Sequence, residues 1–404
     1  MRIWLINNYN MLPEHGHLNR NYYLGKYLKK LGHEPVAFVG SHPHNTDLQL
    51  IDGNEKYRVY REEPFPWVLI KTRNYEGSKK SRVLSMFEFY RNMKTAAKNF
   101  EKPDAIIGSS AHPLAALLAI RLGKKYGCKG IVEVRDLWPE SIVAYGVLPR
   151  NNPAVKLLYQ FEKYLYMHAD ELIFTMENAW LYFEEQGLDR IIPKDKVHYV
   201  NNGVDLEEFS SNATNNTIYD EDLCNESFFK VVYVGSIRKV NNLGRLLDVA
   251  KTVKNQRIRF LVWGSGDELN DLKNRIKEEN ITNVSFKGAV EKKFVPFITS
   301  HADLNIMHNG QSPVLKYGLS ANKLFDYAAA GKPIFSDFYC GMNPASEYHA
   351  GITYAEDSID GVAEIIDRFS DMDSEEYSVY CENARRLAKD YSYENLARKV
   401  ASLI

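Results

Sequence analysis

The stretch Gly318-Leu-Ser-Ala-Asn-Lys-Leu-Phe-Asp-Tyr-Ala-Ala-Ala-Gly-Lys-Pro-Ile334 reads as a helix from Ser320 to Ala330 followed at once by a strand from Pro333 to Phe335. Upstream the same two-stroke pattern recurs. Phe228 to Val234 is a strand ending in Gly235, then come a helix over Leu243 to Val253, a strand over Ile258 to Trp263 and a helix near Glu268 to Glu278. Short strands at Val284 to Phe286 and Ala302 to Met307 complete that half. Strands alternating with helices imply a parallel sheet covered on both faces.

The first half repeats the design. Arg2 to Asn7 is a short buried strand, and Tyr23, Leu24, Tyr27, Leu28 and Leu31 recur at helical spacing before Gly32, a C-terminal stop. Further strands are expected at Glu34 to Val39, Asp104 to Gly108, Gly130 to Val134, Glu171 to Thr175 and Val197 to Val200. A polar, Asn-rich stretch from Ser210 to Ser227 separates the halves. The expected organisation is therefore a first α/β domain over 1–205, a linker over 206–227, a second α/β domain over 228–385, and a C-terminal helix over 386–404 that returns to the first. Two doubly wound, Rossmann-like domains in tandem direct the carboxyl ends of both sheets toward a shared central cleft, where ligands of such sheets bind.

The 404 residues exceed the size at which one core stops growing, which also calls for two domains. A net charge of −1 argues against a general polyanion binder, so nucleic acid is not an expected partner. The apolar start, Ile3 to Ile6, meets asparagines too soon for a secretory leader, and no run reaches the length of a membrane span. The four cysteines form no CxxC pair. A reducing, cytoplasmic setting is the expectation. The sequons at Asn212, Asn215 and Asn225 are then plain surface residues.

The quoted helix also carries chemistry. With Ser320 as N-cap, the amides of Asn322 and Lys323 point out of the helix start, where hydrogen bonding and the helix dipole favour an anion. Lys323 adds a full charge. Asp326 lies about 4.5 Å further along the axis, near the offset between a nucleotide's diphosphate and its ribose. A capped amphipathic helix with a solvated lysine and aspartate is the competing reading.

That string resembles the "P-x-K-L-F-E-Y-M-A-A-G-K-P" signature of the large retaining glycosyltransferase family 4, particularly its bacterial branch building O-antigens and capsules. The resemblance implies the GT-B architecture and a ribose-binding role for Asp326, with Ser320, Asn322, Lys323 and Leu324 completing the donor-binding helix. Two departures stand out: Asp replaces the usual Glu, and the partner Glu expected eight residues earlier is Gly318. Asn201-Asn-Gly-Val-Asp-Leu-Glu-Glu-Phe209 resembles the segment ending the first domain, read here as structural. Val232-Tyr-Val-Gly-Ser-Ile237 resembles the glycine turn near the donor phosphate, so Gly235 and Ser236 are candidates, with Arg238 and Lys239 in place of the family's Arg and Lys. Trp263-Gly-Ser-Gly266 resembles the loop beside the base, which brings in Gly264.

In the first domain, Arg135-Asp-Leu-Trp-Pro-Glu-Ser141 resembles the "RDLWPES" string of this branch. It follows a strand, so Arg135 and Asp136 face the cleft, where a carboxylate can take the acceptor's proton or stabilise a cationic sugar; a structural ion pair is the alternative. Glu14-His-Gly-His17 falls where the family's Gly-rich loop covers the donor, making Gly16 a phosphate contact and His17 a catalytic candidate. His112, before Pro113, is read as able to cap a helix. The Asp-x-Asp strings at Asp220 and Asp371 lie in polar stretches, so neither a metal nor another cofactor is expected.

The segment from Lys71 to Lys102 holds nine Lys or Arg against three Glu, interleaved with Tyr75, Phe87, Phe89, Tyr90 and Phe100. It suits peripheral contact with an anionic membrane, on the inner face of the cell membrane, or a solvated helix face packed by its aromatics. The resemblance implies a nucleotide-sugar donor, commonly UDP-linked, and a polyprenyl-diphosphate-linked saccharide acceptor. It implies transfer with retention in surface polysaccharide biosynthesis, by an enzyme of the hexosyl or N-acetylhexosaminyl type. A UDP-sugar 2-epimerase of the same architecture and a non-catalytic nucleotide-sugar-binding subunit are the alternatives. A dehydrogenase is disfavoured because no G-x-G-x-x-G follows a strand.

Overall fold

The computed structural model describes residues 1–15, 19–44, 46–61, 64–110 and 112–404. The chain forms two compact units, Met1–Asn201 with Tyr393–Ile404, and Asn202–Ser392.

The first unit is built on strands β1 Arg2–Ile6, β2 Glu34–Gly40, β3 Tyr57–Arg61, β4 Trp67–Ile70, β5 Ala105–Ser109, β6 Lys129–Val134, β7 Glu171–Phe174 and β8 Val197–Tyr199. They are ordered β3-β4-β2-β1-β5-β6-β7-β8, and every pair is parallel except β3 with β4. Ile3, Trp4, Leu5 and Ile6 are all buried, as a strand covered on both faces requires. Its helices are α1 Arg20–Lys30, α2 Lys79–Ala96, α3 Pro113–Tyr126, α4 Glu140–Ala144, α5 Pro153–His168 and α6 Ala179–Gln186. Helix α3 has its start and stop written locally: the His112 ring accepts from the Ala115 amide, Pro113 opens the helix, and Gly127 closes it at φ 72°.

The second unit carries α7 Leu206–Asn215 and α8 Glu221–Cys224, then β9 Phe229–Val234, α9 Leu243–Thr252, β10 Ile258–Trp263, α10 Leu269–Glu278 and β11 Val284–Gly288. It continues with α11 Val295–Ser300, β12 Leu304–Met307, α12 Asn322–Ala329, β13 Ile334–Ser336, α13 Pro344–Glu347, β14 Gly351–Thr353, α14 Ile359–Asp371 and α15 Ser374–Asp390. The strands run β11-β10-β9-β12-β13-β14, all parallel. Helix α16, Tyr393–Ala401, belongs to the first unit, where the Tyr393 and Tyr23 rings stack at 4.8 Å.

The structure corrects the expected layout in three places. The stretch 206–227 is not a bare linker: α7 and α8 occupy most of it, and the Asp205 and Asp220 carboxylates cap them, so capping rather than apolar content marks these helices. The return to the first unit comes at Tyr393, because α15 stays with the second unit. Strands β3, β4 and β14 had no counterpart in the reading. Each is only three to five residues long, and edge strand β3 exposes Arg58, Val59 and Tyr60, which erases the burial signal.

Candidate functional site

The second unit's sheet reverses strand order between β9 and β12, and open parallel sheets bind ligands at the carboxyl ends beside such a switch. There β9 ends in Gly235, and the loop after β10 folds against it. The Gly235 amide donates to the Trp263 carbonyl at 3.0 Å, and the Ile237 amide to Ser265 at 2.9 Å. Gly264, at φ 154°, sits so close that a Cβ would fall 1.8 Å from the Gly235 oxygen. Both loops therefore approach as bare backbone, leaving peptide groups at the strand ends.

Lys323 enters this corner from the first turn of α12. Its Nζ lies 3.1 Å from the Tyr233 hydroxyl, 4.2 Å from the centre of the Tyr233 ring, and 3.1 Å from where a Cβ on Gly235 would stand. Gly235 and Lys323, 88 positions apart in sequence, meet directly. Burial pushes the ammonium down to about 8, while the nearby Asp337 charge pulls it upward. The Asn322 and Lys323 amides open α12 and have no acceptor within the helix. A half-buried cation beside open amides is the electrostatic signature of an anion site.

Ser320 does not cap α12. Ala321 holds that position, and the Ser320 carbonyl and hydroxyl instead accept from Asn202 Nδ2 at 2.8 and 3.1 Å. Asn202 thus explains why the Asn201–Phe209 segment matters structurally. Gly318 adopts φ 115°, a region that favours glycine, so the glutamate expected there would be strained. Leu324 is fully buried and packs the helix rather than facing solvent. Asp326, mostly buried one turn into α12, is ion-paired with the more exposed Lys292.

Ser236, Arg238 and Lys239 are exposed on the turn after β9. The Ser236 hydroxyl donates to Asn241 Oδ1 at 2.8 Å, so these two residues lock the turn. Arg238 and Lys239 make no ion pair among the described residues, which leaves two cations at the same strand end.

In the first unit, Arg135 and Asp136 follow β6 directly, Arg135 half-buried and Asp136 exposed. Among the described residues no ion pair joins them, so the structural-pair alternative finds no support. Glu140, at the end of the same string, accepts from Arg150 at 2.7 and 2.6 Å and from the Tyr159 hydroxyl at 2.6 Å. Below it Glu162 is buried between the Tyr166 and Tyr182 hydroxyls at 2.8 and 2.7 Å, and burial pushes its carboxyl up to about 8. Gly16 and His17 lie outside the described residues. His112 is buried and, as the cap of α3, pushed down to about 3 by desolvation.

On α2, Phe89 is core and Tyr75 is buried ahead of the helix, whereas Val83 and Phe87 are more than half exposed and Leu84 is 36% exposed. Lys79, Lys80, Arg91 and Lys94 share the exposed surface of that helix. Among the described residues no helix is long and apolar enough to cross a membrane.

Sequence reading missed Tyr233 and Lys292. Tyr233 sits inside an apolar strand string, where an aromatic signals only core, and Lys292 lies in a solvent-like lysine pair.

The model of Glycosyltransferase Family 4 matches residues 16–208, and that of Glycosyl transferases group 1 matches residues 216–387. The chain is similar to WbjE of Pseudomonas aeruginosa, named as a glycosyltransferase, at 21% identity over 65% of each chain. It is also similar to TuaH of Bacillus subtilis, named for teichuronic acid biosynthesis, at 26% identity over 67% of this chain and 62% of that one. The match thus spans just under two thirds of each relative's length. Among solved structures, Anabaena HepE in complex with UDP matches 100% of this chain and 99% of its own, with a TM-score of 0.67 at 14% identity. Such full-length likeness establishes the GT-B fold.

Proposed function

The chain belongs to glycosyltransferase family 4, and from that premise we propose that it moves a sugar from a UDP-linked donor to a polyprenyl-diphosphate-linked saccharide, retaining anomeric configuration, in surface polysaccharide synthesis. The observation that carries the donor side is the meeting of Lys323, Tyr233 and Gly235 at the start of α12. A diphosphate placed there accepts from the Asn322 and Lys323 amides and from the Lys323 ammonium, with Arg238 and Lys239 on the adjoining turn. Asp326, already oriented by Lys292, accepts from the ribose hydroxyls. HepE, solved with UDP, supports the choice of nucleotide.

These residues neutralise the leaving diphosphate, so the reaction proceeds without a metal, and the protein's contribution is positioning and charge stabilisation. Asp136, with Arg135 beside it, serves the acceptor hydroxyl; His17 remains a further catalytic candidate. The name of TuaH, given for teichuronic acid biosynthesis, supports a polysaccharide product. The exposed Val83, Leu84 and Phe87 with their lysines support attachment of α2 to the inner face of the cell membrane, where a lipid-linked acceptor resides. The test is turnover of a nucleotide-sugar panel with polyprenyl-diphosphate saccharides, read by mass spectrometry. Sugar added to the lipid-linked saccharide supports the proposal. Epimerised donor with no acceptor product, or no turnover of any donor, refutes it.

A further inference from the structure

His308 directly follows β12 and Asp337 directly follows β13, so both stand at carboxyl ends beside the switch in strand order. Both are buried. His308 Nδ1 lies 2.5 Å from Asp337 Oδ2, and Nε2 lies 2.8 Å from the Asn242 carbonyl oxygen. The Asn242 carbonyl can only accept, so Nε2 donates to it, and Nδ1 is left facing the Asp337 carboxyl group. Arg245 Nη1 donates to the same Asp337 Oδ2 and to the Asp337 carbonyl, each at 3.2 Å. Its Nε reaches Asp357, whose side chain is 86% exposed.

Among the described residues, Arg245 Nη2, a donor, and Asp337 Oδ1, an acceptor, are buried without a hydrogen-bond partner. The Lys323 ammonium also feels the Asp337 charge. Asp337 thus faces Arg245, His308 and the charge of Lys323, and Asp357 faces water, where its charge is screened.

The cluster also reaches the phosphate turn mechanically. Asn242, at φ 51°, ends the turn over Lys239–Asn241 and begins α9, and His308 holds its carbonyl. The Gly310 amide, two residues beyond His308, donates to the Val240 carbonyl at 3.0 Å. The loop after β12 therefore bolts down the turn that displays Arg238 and Lys239.

We infer that Asp337, acting through His308, is a positioning residue: it holds the Ser236–Asn242 turn so that Arg238 and Lys239 meet the donor's diphosphate. This rests on the donor site proposed above. The experiment compares UDP and uridine binding, by titration calorimetry or ligand NMR, in the wild-type chain, Asp337→Asn and His308→Asn. Loss of a buried charge-assisted contact is expected to weaken UDP at least about tenfold in both variants, with uridine affinity within about twofold of wild type. In imidazole 15N–1H spectra, the His308 ring signals should shift in Asp337→Asn, because Nδ1 loses its carboxyl partner. Unchanged UDP affinity overturns the inference, and so does an equal loss for UDP and uridine, which would mark a merely structural role. Should Asp337→Asn fail to fold, His308→Asn decides alone. Failure of the wild-type chain to bind either UDP or GDP would remove the donor reading itself, and this inference with it.

Discussion

Lys323→Met should make the protein more stable and worse at binding its donor. Burial lowers the Lys323 ammonium from 10.5 to about 8, a cost to the folded state of about 3 kcal/mol at pH 7. The face of Tyr233 returns about 1–2 kcal/mol of that. Methionine keeps an apolar stem over the ring and carries no charge, so the variant gains about 1–2 kcal/mol. The sign with pH follows from a folded-state value below the unfolded one: the cost is complete below about pH 8 and is relieved as pH rises toward 10.5. The stability gap between variant and wild type should therefore close over that interval, as urea unfolding at pH 7 and pH 10 will read. Binding goes the other way. A phosphate needs the charged lysine, so the variant binds UDP about 10- to 100-fold more weakly at pH 7. Wild-type affinity should decline above about pH 8, while that of the variant stays flat. A variant that is less stable at pH 7 and binds UDP like the wild type would refute this account of Lys323.

Other outcomes follow from the same geometry. Asp326→Ala should raise the donor Kd about tenfold or more, whereas Asp136→Ala should leave it unchanged and slow turnover; calorimetry and steady-state rates separate the two. Glu162→Gln removes a carboxyl whose folded value of about 8 lies above its unfolded 4.5, so its stabilising effect should appear as pH rises from about 5 and be complete above about 8, by chemical denaturation. Chelation with EDTA should leave the transfer rate unchanged, and a loss restored by Mg²⁺ would place a metal in the reaction. Phe87→Glu should abolish sedimentation with anionic vesicles while leaving UDP affinity intact.

Much of the architecture was legible because the strands that build it are apolar and separated by helices of matching period. Arg2–Ile6, Phe229–Val234 and Ile258–Trp263 emerge within one residue of their expected ends. What escaped depends on contacts between distant segments. Ser320 has the chemistry of a cap, yet Asn202 engages its hydroxyl, so the cap passes to Ala321, which lacks one. Lys323 was legible as a cation at a helix start. Its burial on Tyr233 was not, because that contact exists only once β9 and α12 pack together. The helices over Leu206–Asn215 and Glu221–Cys224 looked like linker because they bury only Phe209 and Leu223. His308 and Asp337 carried a usable signal, a titratable residue immediately after an apolar strand, but not the pairing between them.

A crystal structure of the chain soaked with UDP puts the whole account to its shortest test. The diphosphate should lie against the Asn322 and Lys323 amides with the Lys323 ammonium in contact, and the ribose hydroxyls should reach Asp326 in place of Lys292. A nucleotide bound away from α12, or phosphates that leave Lys323 on Tyr233 untouched, would contradict it.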